Sequence, residues 1–142
     1  MKVARLLEQM ATAEADLAAR LVALADAHRA EQDVHFVARD LARWSQDHAA
    51  ALAEHADLRL PDVSAPSLAR DDPGAALLAD LRDVYGTACG LATDWDVLGQ
   101  AAKARRDDGL LVLVELCAPQ NRRQVTWLRA KRKESAAQIV RD

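Results

Sequence analysis

The chain is short of the residues that build sheets, disulfide frameworks and membrane spans. It has one Phe, one Tyr and three Trp in 142 residues, although apolar residues of all kinds reach 51%. Ala and Leu must therefore fill the interior, which suits helices lying close together. Two cysteines are too few for a disulfide framework. No apolar run is long enough to cross a bilayer, and no charged-then-apolar leader follows Met1. A soluble, cytoplasmic protein without membrane contact is expected. There is no glycine-rich phosphate loop, no nucleophile elbow and no Cys-x-x-Cys. A formal charge of −3 argues against a general nucleic-acid binder.

What remains is helical periodicity over a length suited to one domain, residues 1–142. The clearest stretch is 33–57, which holds neither Gly nor Pro and begins at Asp33, a candidate N-cap. Its stripe runs Val34, Val37, Leu41, Trp44, His48, Leu52, His55. The first pattern, over 3–29, has the stripe Val3, Leu7, Met10, Glu14, Leu17, Leu21, Leu24, His28. A carboxylate and three histidines thus lie on faces that ought to be apolar, where each is costly unless paired or ligated. His28 lies where a histidine complements the negative end of the helix.

The polar break at 29–33 is short, so the first two helices form an antiparallel hairpin. A turn centred near residue 31 sets Glu14 opposite His48, His28 opposite His35 or Val34, and Leu7 opposite His55. Glu14 and His48 can satisfy each other by a charge-assisted hydrogen bond, as a structural pair that holds register. The same two residues are also the candidate ligands of a single metal ion.

Residues 58–72 carry Pro61 and Pro66 and lead into Pro73, which forbids a continuous helix. Extended, such a segment reaches roughly 50 Å, more than the roughly 36 Å of the preceding helix. That length favours a crossover along the whole bundle. A third helix over 73–104 starts at Asp72-Pro73 and carries the stripe Leu77, Leu81, Val84, Ala88, Leu91, Trp95, Leu98, Ala102. Its opposite face, Arg82, Gly86, Cys89, Gly90, Thr93, Val97 and Gln100, has one charge. That face reads either as a homodimer seam or as a small-residue surface covered by the 58–72 segment. A fourth helix over 108–137 starts at Asp107 or Asp108. Its run 110–114 is apolar all round and expected to be deeply buried, and Pro119 should kink or break it. The basic residues 122–133 read as an anionic-ligand patch or, more simply, as a solvated face. Cys89 and Cys117 should sit about 10 Å apart along the axis, too far for a disulfide. No strands are expected.

A mid-helix Glu, a mid-helix His, a long second connection and four long helices resemble the ferritin-like superfamily. More narrowly, WSQDH (44–48), DWDVLGQAAKARRD (94–107) and CAPQNRRQVTWLRAK (117–131) are similar to a group of uncharacterised ferritin-like proteins of GC-rich, actinobacterial-type bacteria. The resemblance implies an all-α, ferritin-like four-helix bundle with a long crossover between helices two and three. Some relatives carry His where this chain has Ala118.

The ferritin-like di-iron site takes a Glu from each of two helices and a Glu-x-x-His from each of the other two. Here the second helix offers Ser45-x-x-His48. In the crossover arrangement His48 is expected level with Ala88 and Val125, neither a ligand. The complete site is absent from the sequence. Two function classes follow. One is a non-enzymatic bundle that binds a partner or assembles. The other is a metal-binding or oxidoreductase protein with a reduced site at Glu14 and His48, with His55 or Tyr85 as further ligands.

Overall fold

A computed structural model describes residues 2–64 and 72–141. They form four helices: α1 (Lys2–Ala27), α2 (Gln32–His55), α3 (Pro73–Arg105) and α4 (Asp108–Arg141). Among the described residues there is no strand. No helix is long and apolar enough to cross a membrane.

The helices form a square. α1 packs on α2 and on α3, and α4 packs on α3 and on α2, while the diagonal pairs have no close backbone approach among the described residues. Contacts of known register give the directions. Arg20 meets Asp83, whereas Trp95 meets Glu14, so α1 and α3 run antiparallel. Gln120 meets His48 and Lys131 meets Asp33, so α2 and α4 are antiparallel as well.

Local signals explain the boundaries. The Asp72 side chain accepts from the backbone N–H groups of Gly74 and Ala75, with Pro73 at the first helical position. Asp107 caps α4 by accepting from the Leu110 N–H at 3.1 Å. Asp33 is not the N-cap of α2. The helix begins one residue earlier, after Glu31, and Asp33 spends its carboxylate on the Val34 N–H and the Lys131 ammonium.

The α1 stripe is buried as its periodicity requires, from Leu7 to His28. On α2 the buried face is rotated. Ala38, Ala42, Ser45, Ala49 and Ala53 lie inside, while Val37 and Trp44 are half-buried and His55 is exposed. Small residues let α1 and α2 approach closely, and bulky side chains then sit at the rim. The run 110–114 is not deeply buried: Leu110 and Val114 face the core, whereas Val112 is 54% exposed. Each helix of a square presents only one side to the core, so an all-round apolar run must leave part of itself in water. Helix α4 runs unbroken through Pro119. The carbonyl that Pro119 cannot bond is that of Glu115, at an exposed turn where water can take it. Cys89 and Cys117 are free thiols.

Residues 60–63 lie over α1, where Leu60, Pro61 and Val63 close a cleft of ≈ 520 Å³ floored by Ala15, Ala19 and Ala49. This half of the connection therefore rests on the α1–α2 side and not on the weakly charged face of α3. The other half, 65–71, lies outside the described residues.

Helix α3 ends on Arg106 in the left-handed conformation (φ 52°), where its N–H reaches the carbonyls of Ala102 and Lys103. A side chain with a Cβ is strained there and glycine is not. Arg106→Gly is expected to stabilise the fold by about 0.5–1 kcal/mol in urea unfolding. Destabilisation would show that the Arg106 side chain contributes more than its backbone strain removes.

Candidate functional site

The buried polar groups at mid-bundle come from all four helices. Each sits on an inward face because the apolar period of its helix puts it there. Glu14 (α1) and His48 (α2) are 0% and 1% exposed, and the structure brings them together: His48 Nδ1 lies 2.8 Å from Glu14 Oε2. The other ring nitrogen, Nε2, lies 2.7 Å from Gln120 Oε1 on α4. The Trp95 indole N–H on α3 donates to the same Glu14 oxygen at 3.1 Å. The imidazole and the Trp95 ring stand edge to face, with centroids 5.8 Å apart.

A second set adjoins the first. Gln124 donates from Nε2 to Ser45 Oγ at 2.8 Å and to the Leu41 carbonyl at 2.9 Å. Asn121 donates to the Ala88 carbonyl at 3.3 Å. Two buried oxygens, Glu14 Oε1 and Asn121 Oδ1, have no hydrogen-bond partner among the described residues.

The electrostatics follow from this geometry. Burial pushes His48 towards neutrality, but the hydrogen bond and charge of Glu14, with the Gln120 amide, outweigh it and raise its pKa above the ordinary value. With Gln120 presenting its oxygen, Nε2 donates to it, and in the protonated ring Nδ1 donates to Glu14 as well. Burial, then the charges of Glu14 and Asp47, push the Cys117 thiol up to about 12. It is an inert packing residue and not a thiolate.

The other sequence candidates lie elsewhere. His55 is at the bundle end, 3.9 Å from Asp107, because α2 finishes there and its last turn leaves the core. Tyr85 is on the α3–α4 side beside Cys89 and the cations of α4. Neither can join Glu14 and His48. His28 contacts the buried carboxylate of Asp80 on α3 at 2.7 Å, while His35 Nδ1 lies 2.8 Å from the Ala25 carbonyl. The levels expected across the bundle also shift: His48 meets Trp95 and Gln120 rather than Ala88 and Val125, because the two hairpins dock several residues out of the register assumed from loop lengths alone.

Sequence reasoning missed the role of Gln120, the burial of Ser45 and Asp80, and the indole donor of Trp95. One signal was available. Ser45/His48 and Asn121/Gln124 are both polar pairs three residues apart on otherwise apolar faces.

Among the described residues no group of three His, Cys, Asp or Glu is arranged to hold a metal ion. Comparison of the chain with protein-family models, with curated proteins and with solved structures finds no match.

Breaking a buried pair leaves one charge uncompensated and costs about 3–5 kcal/mol. Glu14→Leu and His48→Leu are each expected to destabilise by that order, and the double variant by clearly less than their sum. Strict additivity in urea unfolding would show that the two side chains do not interact. The sign of the pH effect is set by the raised pKa of His48. Its contribution is complete below the ordinary value of about 6.5 and is lost as pH rises through the folded value. The stability difference between the native chain and the double variant should therefore change in favour of the variant as pH rises above about 6.5.

Proposed function

We propose that this chain is a ferritin-like four-helix bundle, with a long crossover between α2 and α3, that works as a non-enzymatic binding or assembly protein. The helix directions support the crossover. Gly99 lies against Val114 and Gly74 against Ile139, so α3 and α4 are antiparallel, as α2 and α4 are. That leaves α2 parallel to α3, and residues 60–63 already head back along α1. This connectivity is one of the bundle topologies with a long connection.

The donor set at mid-bundle does not fit a di-iron centre. Two irons need several carboxylates to bridge them and balance their charge. Here the two i,i+3 pairs are Ser45/His48 and Asn121/Gln124, joined by the Gln124–Ser45 hydrogen bond. A hydroxyl and two amides supply no anionic bridge. The observation that carries the non-enzymatic reading is that both nitrogens of His48 are engaged, by Glu14 and by Gln120. A metal or substrate would have to displace one of these partners to reach a ring nitrogen. The layer acts as an internal fastening.

A second reading, a metal-binding or oxidoreductase protein with a single ion at Glu14 and His48, is favoured by one feature: Glu14 Oε1 is buried without a partner among the described residues. Two protein ligands fall short of the three or four that a bound metal usually takes. Protein purified without a histidine tag is expected to carry no stoichiometric metal by elemental analysis. One equivalent of iron, manganese or zinc, lost in His48→Gln, would favour the second reading, and two irons per chain would restore the di-iron one.

For assembly, the outer face of α3 is the surface of choice. A Cβ added at Gly86 or Gly90 would meet nothing, and Val97 is 55% exposed. We read this face as the seam of a homodimer in a reducing cytoplasm, with neither nucleic acid nor membrane as partner. Light scattering at tens of micromolar should give twice the mass of the chain, and Val97→Glu should reduce it to one. A monomer mass for the native chain would refute the seam.

A further inference from the structure

The basic residues of α4 are not one uniform solvated face. Arg122 and Arg123 point outward and are exposed. Lys131 turns inward, is 5% exposed, and is held by Asp33 and Glu134. Three others converge on a concavity between α3 and α4. This groove, of ≈ 390 Å³, is lined by Arg129, Arg132 and Lys133 with Tyr85, Leu78 and Ala136.

None of Arg129, Arg132 and Lys133 forms an ion pair among the described residues, because the nearby acids are already committed. Asp83 is taken by Arg20, and Glu134 reaches Lys131. Tyr85 lies beside Cys89 and feels the charges of Arg129 and Arg132, so the phenol stands inside the cationic field. A chain with a net charge of −3 therefore holds, among the described residues, three cations without an ion-pair partner around one groove.

We propose that the α3–α4 groove is a binding site for a small phosphorylated molecule with an apolar or aromatic body. Two guanidinium forks and an ammonium match the oxygens of a phosphomonoester, to which Arg can donate bidentately. Its double charge balances the cations better than the single charge of a carboxylate does. The Tyr85 ring, Leu78 and Ala136 form the wall for the uncharged part. The volume lies in the range of about 300–1,000 Å³ typical of small-ligand pockets. A concave site of this size differs from the extended basic stripe of a nucleic-acid surface. The proposal does not rest on the role of the Glu14–His48 layer and stands whether or not that layer holds a metal.

The test is titration calorimetry on the full chain with phenyl phosphate as probe and with inorganic phosphate and benzoate as controls. Phenyl phosphate should bind saturably at one site per chain, and more tightly than either control. Arg129→Gln with Arg132→Gln should weaken it about tenfold or more, the loss of roughly one charge-assisted contact. Arg122→Gln with Arg123→Gln should leave it within about twofold, and far-ultraviolet spectra should show both double variants folded. No saturable binding would overturn the proposal, as would equal weakening by the two double variants. Equal affinity for benzoate would refute the phosphate assignment. Tighter binding of a single-stranded oligonucleotide, sensitive to both double variants, would replace it with a nucleic-acid surface.

Discussion

The contact between His48 and Glu14 is the constraint on which the arrangement of the helices depends. Both side chains are almost completely removed from water, and neither has another way to meet its hydrogen-bonding need within reach of its own helix. The carboxylate oxygen that binds His48 also takes the Trp95 indole from α3, and the far nitrogen of the ring reaches Gln120 on α4. One pair therefore links four helices. Sliding one helix by a turn would leave a buried charge or a buried amide without a partner, and such losses are large compared with the few kcal/mol that separate folded from unfolded protein.

Apolar packing alone would not select this register. The interior is mostly Leu and Ala, and such a surface can slide with modest loss. Short turns hold α1 to α2 and α3 to α4, but they say little about how one hairpin lies on the other. The polar contacts do that. His28 with Asp80 and Trp95 with Glu14 join α1 to α3. Gln120 with His48, Gln124 with Ser45 and Lys131 with Asp33 join α2 to α4. All five lie across interfaces that no short loop specifies. Buried ion pairs are weak contributors to net stability, and their attested use is to specify one arrangement over others. The pattern in this bundle matches that use.

The same layer bears on function. His48 has a partner at each ring nitrogen, and Glu14 raises its pKa. Another concentration of charge lies in the groove where Arg129, Arg132 and Lys133 meet around Tyr85 without acidic partners among the described residues. Interior and surface thus divide the work. Charges inside are matched pair by pair, and charges in the groove are left free to meet something outside the chain.

How much of this was legible in the residues depended on whether a feature is local. The four helices, their limits to within a few residues, the Asp72-Pro73 start and the inward aspect of Glu14 and His48 all follow from periodicity and capping, which act within a few turns. The opposition of Glu14 and His48 also follows, because a short turn leaves an antiparallel hairpin little freedom. The docking of one hairpin on the other does not follow. It is decided by where Trp95, Gln120, Asp80 and Lys131 find partners far away in sequence, and loop length does not encode that distance. For the same reason the exposure of Val112, the removal of His55 from the core and the convergence of three basic side chains on one groove were settled only by tertiary packing. The sequence by itself determined which side of each helix faces inward, since that is a property of one period. Which helices then share a level is a property of the whole bundle, and only the folded chain decides it.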